Sequence, residues 1–264
     1  MELPLDRILS ENKPDFPFCI CWANENFTRR WDGGNNEIVL GQNHSDEDDE
    51  AVIKDMLKYA THKNYIRVNN KPMVMLYRFS LFPDIKRTTK LWRKVAMEIG
   101  IGEIYLGFVE SFQHAYLMEN PKEYGFDFST QFPPHQNSAA IPVPGNLLNK
   151  NFTGTVHDYR EMVLNYTGKP VPGFKRFPAS MPGWDNTPRQ KNKPNIFAYS
   201  NPGSFQAWLE WNLKVSSEQN PPGERFVFIN AWNEWAEGAF IEPSLQHGHG
   251  FLEAIRNAKQ SWLR

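Results

Sequence analysis

The order of residues predicts an α/β chain of the (β/α)8 barrel type, in which about six strands of the full eight can be counted. Three observations carry that expectation. Short apolar runs alternate with longer stretches of helical spacing, which means parallel strands joined by crossover helices. The strands read as continuous apolar runs, as expected of a sheet buried on both faces. Polar and aromatic clusters follow directly after strands, at Asn24-Glu25-Asn26, Arg78, Glu110-Ser111, Trp184-Asp185 and Asn233-Glu234, where a barrel builds its ligand rim. An open doubly wound sheet also fits the alternation. No G-x-G-x-x-G follows the first strand, which disfavours its dinucleotide-binding form.

In chain order, Phe18 to Ala23 is an apolar run bounded by Pro17 and Asn24, hence a buried strand. Ser45 caps a helix whose first turn is crowded with the acids 46–50 and whose Val52, Ile53, Met56, Leu57 and Ala60 share a face. Met73 to Tyr77 is the next strand. A second helix carries Leu91, Trp92, Val95, Ala96 and Ile99 and stops at Gly100. Ile104 to Val109 is a third strand and Phe126 to Ser129 a short fourth. Residues 131–150 form a loop rich in Pro and Asn. A helix is expected near 155–166, a strand near 170–176 and a second long loop over 177–200. A helix with Phe205, Trp208 and Leu209 precedes the strand Phe226 to Ala231, and a last helix carries Phe251, Leu252, Ile255, Ala258 and Trp262.

The 264 residues suffice for one sizeable core, and a single domain over 1–264 is expected. Lys and Arg number 29 against 30 Asp and Glu, so no basic face for nucleic acid is expected. Hydrophobic content of 40% with 22% charged excludes wholesale disorder. The aromatic share of 14%, with nine Trp, suits stacking on sugar rings as well as core filling. Cys19 and Cys21 would share a strand face; C-x-C matches neither a redox nor a zinc pair, and inward packing is expected. The start shows no basic segment followed by an apolar stretch, and no run approaches the roughly 20 residues of a transmembrane helix. The cytoplasm is therefore expected, and the sequons at Asn26, Asn43, Asn151 and Asn165 read as coincidence.

Two segments carry the chemistry. In Ala231-Trp232-Asn233-Glu234-Trp235-Ala236-Glu237-Gly238, two carboxylates stand three residues apart. If the chain turns helical there, they project to one side, with Cβ atoms about 5–6 Å apart. Like charges that close favour one acid and one base, and a carboxylate pair flanked by Trp is what glycosidic chemistry asks for. A pair of helix N-terminal acids is the structural alternative. In the second segment, 22–34, Asn24 and Glu25 can bond hydroxyls and Trp31 can stack. Arg29 and Arg30 can hold a phosphate or carboxylate there, or Arg30 can bridge Asp32 or Glu37 to lock the loop. Asp46-Glu47-Asp48 has the look of a metal-holding D-x-D but follows a helix cap, so a solvated helix start is expected. His247 and His249 read as a helix-entry loop rather than a metal pair.

The chain resembles the WbsX-type glycosyltransferase-like family of bacterial surface-polysaccharide loci, which is itself similar to the endo-α-mannosidases of glycoside hydrolase family 99. The resemblance rests on 19–33 and 231–238, with support from Lys71 to Arg78 and from Gly183-Trp184-Asp185-Asn186-Thr187-Pro188-Arg189. It implies a (β/α)8 barrel without its first two strand–helix units, and no metal or organic cofactor. It implies Glu234 as a base acting on the sugar's own 2-hydroxyl and Glu237 as an acid on the leaving oxygen, with retention of configuration. Substrate contacts are expected from Trp22, Asn24, Glu25, Arg29, Arg30, Trp31, Tyr77, Arg78, Glu110, Trp184, Asp185, Trp232, Asn233 and Trp235. The hydrolases carry His where this chain has Ala236. The implied partner is a mannose-like glycan of O-antigen or capsule. The alternatives are transfer from a lipid-linked or nucleotide-linked sugar, and a non-catalytic glycan-binding remnant.

Overall fold

The computed structural model describes residues 3–29, 34–111, 119–134 and 138–263. The chain resolves into two compact units. One comprises 1–26, 41–110 and 119–129, the other 27–40, 111–118 and 130–264. The described residues show a parallel sheet and no closed ring of strands.

In the first unit, β5 (Lys71–Leu76) is central. β1 (Ile20–Trp22) and β6 (Tyr105–Glu110) flank it in parallel, β7 (Phe128–Gln131) lies beyond β6, and β4 (Arg67–Val68) adds an antiparallel turn. α2 (Asp46–Leu57) and α3 (Ile85–Glu98) cover one face, burying Ile53, Leu57, Trp92 and Ala96 against Val74, Leu76, Leu106 and Phe108. The caps are those expected from sequence. The Ser45 hydroxyl accepts the Asp48 N–H, and Gly100 at φ +81° lies just beyond α3. The two helices are tied at Asp49, whose carbonyl accepts the Trp92 indole N–H and whose carboxylate accepts the Thr88 hydroxyl. On the other face Tyr105 stacks on Phe128, and the Phe128 ring occupies the space a Cβ at Gly107 would need, 2.1 Å from its nearest atom. α1 (Leu3–Glu11) adds Leu5 and Leu9 to the core.

The expectation for the cysteines needs correcting. Cys19 is half-buried, but Cys21 is an exposed residue of the edge strand. Burial pushes the Cys19 thiol up to about 11.

The second unit is held by α6 (Pro202–Gln219). Trp208 packs against α4 (Tyr159–Thr167) and Met181, while Phe205 and Leu209 pack against α7 (Gly250–Trp262). Several expected boundaries move here. Residues 155–158 are strand β8 (Thr155–Asp158), parallel to β12 (Asn195–Ala198), and α4 starts only where the Asp158 carboxylate accepts the Arg160 N–H. The strand near 170–176 shrinks to β9 (Arg176–Phe177), because Pro170 and Pro172 have no N–H for a ladder. The stretch 177–200 is not one loop. It holds β10 (Ala179–Ser180), β11 (Trp184–Asp185), the single turn α5 (Thr187–Gln190) and β12, kept short by Pro178, Pro182, Pro188 and Pro194. The strand at 226–231 is only β13 (Phe228–Ile229), paired with β10. No helix among the described residues is long and apolar enough to cross a membrane.

Candidate active site

The segment Trp232 to Glu242 is a hairpin. β14 (Asn233–Glu234) pairs antiparallel with β15 (Ala239–Phe240), Asn233 opposite Phe240 and Glu234 opposite Ala239. Trp235–Glu237 makes one turn of 3-10 helix between them, closed by Gly238 at φ +63°. The turn is seated on β11: a Cβ at Gly238 would come within 2.7 Å of the Asp185 nitrogen, so only glycine admits this approach. Below it Ile241 joins the core of α6 and α7 with Phe205 and Phe251.

Glu234 and Glu237 converge on one cation. Arg189, presented by α5, donates from Nη2 to Glu234 Oε1 at 2.9 Å and holds Nη1 at 3.6 Å from Glu237 Oε1. All three side chains are partly exposed. Arg189 Nε and the Trp184 indole nitrogen are buried and have no hydrogen-bond partner among the described residues. The Asp185 carboxylate instead accepts from the N–H and hydroxyl of Thr187, the first residue of α5. Trp232 and Trp235 are half-exposed, and both donate their indole N–H to Glu242, at 3.2 and 2.6 Å.

In the first unit the expected residues gather where β1, β5 and β6 end, the side on which parallel sheets hold ligands. Asn24 is fully buried and brackets the Arg78 backbone, donating to its carbonyl and accepting its N–H, each at 2.8 Å. Glu25 accepts from Arg78 at 2.6 Å, and Tyr77 precedes it with its N–H on the Trp22 carbonyl. Glu110 is buried and accepts the Ser129 hydroxyl at 2.8 Å. The Trp22 ring packs against Phe82, Trp92 and His44, part of the wall of the core.

Arg29, in the second unit, ends β2 (Phe27–Arg29) and bridges Glu37 of β3 (Gly34–Leu40) at 3.3 Å, the hairpin lock considered for Arg30. Arg30 and Trp31 lie outside the described residues. Asp46-Glu47-Asp48 is the capped first turn of α2, and His247 lies in the turn entering α7 with its ring edge-on to Phe251. Among the described residues no group of three or more His, Cys, Asp or Glu is placed to hold a metal ion.

Arg189, Ser129 and Glu242 are absent from the residues expected on sequence grounds. For Glu242 a signal existed: Gly238 followed by Ala239-Phe240-Ile241 reads as a hairpin return that brings residue 242 opposite Trp232. Nothing local links Arg189 to residues 45 positions away.

The profile of the family described as Glycosyltransferase WbsX matches residues 1–255. WxcX of Xanthomonas campestris pv. campestris, in strains B100 and ATCC 33913, is 36% identical over 259 residues, which is 98% of this chain. The chain spans 37% of the length of those curated relatives. Among solved structures, a glycoside hydrolase-like protein aligns with TM-score 0.54 at 18% identity, over 82% of this chain and 62% of its own. The GH99 endo-alpha-mannosidase from Bacteroides thetaiotaomicron aligns with TM-score 0.51 at 13% identity, over 84% and 62%. At such identities the likeness is one of fold, and it matches the α/β architecture described above. With a family profile and a relative both covering nearly its whole length, the chain belongs to the WbsX glycosyltransferase family.

Proposed function

We propose that this chain is the carbohydrate-active part of an enzyme that works on glycosidic bonds of mannose-like glycans in the cytoplasmic metabolism of surface polysaccharide, O-antigen or capsule. The observation that carries the reading is the pair Glu234 and Glu237 on one turn, both in reach of Arg189. Glu234 takes the proton of the sugar's 2-hydroxyl as that oxygen closes on the anomeric carbon, and Glu237 gives its proton to the departing oxygen. Water then opens the epoxide-like intermediate, losing a proton to Glu237 while Glu234 returns its own to O2. Two displacements retain the configuration. In this unit Trp184 and Asn233 are the proposed stacking and hydroxyl contacts.

The family's own description favours a second reading, in which the same carboxylates serve transfer of a sugar from a lipid-linked or nucleotide-linked donor. Incubating the chain with α-mannan, and separately with donor and acceptor, separates the two by product. The Glu237→Gln variant tests both: turnover is expected to vanish while glycan affinity stays, and unchanged turnover sinks the assignment. Glycan affinity without product, even at high protein concentration, would leave the non-catalytic alternative.

A further inference from the structure

The hairpin that carries the carboxylates has a second face. Antiparallel partners project to the same side, so Glu234 lies with buried Ala239 and, one step along, buried Ile241, whereas Asn233 lies with Phe240. On that second side Trp235 stacks on Phe240, rings 3.6 Å apart and 14° from parallel, and Glu242 stands two residues beyond Phe240. At the far end of the hairpin the Trp232 carbonyl accepts from both Ile241 and Glu242, two residues against one. Such a bulge re-aims a side chain, and the Trp232 indole reaches Glu242 Oε1 while Trp235 takes Oε2.

One carboxylate thus sets two large indoles that remain 55% and 48% exposed. A Trp buried for packing would have lost its surface. Here the surface is kept and the rings are held, which lowers the cost of ordering them when something stacks on them. Each oxygen of Glu242 has lone-pair capacity beyond the one N–H it accepts, so the arrangement offers apolar ring faces with a hydroxyl acceptor between them. That combination fits the C–H face and hydroxyl rim of a pyranose. The acceptor is an anion, and Glu234 and Glu237 lie on the same hairpin, so the arrangement disfavours acidic sugars.

We infer that Trp232 and Trp235, set by Glu242, form a carbohydrate-contact surface distinct from the Glu234/Glu237 pair, for a neutral hexopyranose chain. The ligand class rests on the glycan reading above. Glu242 is a positioning residue in this arrangement.

The test is affinity electrophoresis of the chain in gels containing yeast α-mannan, dextran or alginate, with circular dichroism melts to certify that each variant is folded. Retardation is expected in a neutral gel and not in alginate. It should weaken at least about tenfold in apparent Kd when both Trp232 and Trp235 become Ala. Glu242→Leu should weaken it several-fold with both indoles present, and Glu242→Gln, which can still accept an indole N–H, should restore part of it. In the Glu234→Gln/Glu237→Gln background retardation should still depend on both indoles. Retardation that survives loss of both indoles, disappears with the two carboxylates, is equal in alginate, or is absent from both neutral gels overturns the proposal. Retardation with no turnover on any glycan sinks the catalytic reading and leaves this surface standing.

Discussion

Two arginine–carboxylate groups, one in each unit, differ in how the guanidinium is used. In the first unit Arg78 donates to Glu25 at 2.6 Å while Asn24 clamps the Arg78 backbone, so the group is braced through side chain and main chain together. In the second unit Arg189 donates to Glu234 at 2.9 Å and lies 3.6 Å from Glu237, so one guanidinium spans two carboxylates of a single hairpin. The first arrangement fastens strand ends. The second holds two like charges close together, which is a condition for acid–base work.

The comparison can be broken in graded steps. The largest effect is expected from Glu237→Gln, with turnover falling about 10²- to 10⁴-fold at nearly constant melting temperature; steady-state kinetics and calorimetry together read this. Next comes stability. Arg189→Leu removes the guanidinium shared by Glu234 and Glu237 and should cost roughly 2–3 kcal/mol, against about 1 kcal/mol for Arg78→Leu, both discounted for partial exposure. Equal costs by urea titration would mean that the two arginines brace the fold alike. Gly238→Ala should cost about 1–2 kcal/mol, because a Cβ at φ +63° meets the Asp185 backbone and unseats the turn.

The smallest effect belongs to a third pair with no ligand role, Asp158 and Arg160. The Arg160 side chain and then the α4 backbone hold the Asp158 carboxyl below its ordinary range. A depressed value in the fold means stability present above the unfolded value near 3.9 and lost as pH falls through the lowered one. Asp158→Asn should therefore be less stable than the parent at pH 7 by about 0.5 kcal/mol, with the gap closing toward pH 2. A gap that widened on acidification would reverse the sign.

Much of the first unit was legible because its signals are local. Ser45 before a run of acids, apolar residues at helical spacing in α2 and α3, and Gly100 after Ile99 each act within one or two turns. The second unit was less legible for an equally physical reason. Its strands are two to four residues long and punctuated by proline, too short for a period to declare itself, so β8 read as helix and 177–200 as loop. Of the candidate site, Glu234, Glu237 and their flanking tryptophans stood out because they are neighbours in sequence. Their partners did not.

The helices of the first unit, the caps that start and stop them, and the residue types at the strand ends follow from interactions between near neighbours, so they can be read along the chain. Which charges meet depends on how distant segments pack. Arg189 reaches Glu234 because Gly238 lets the hairpin settle on β11, and Glu242 reaches two indoles because a two-against-one step rotates Trp232 toward it. Contacts of that kind depend on register and close packing between segments distant in the chain, and those are properties of the folded assembly of elements rather than of any window of residues.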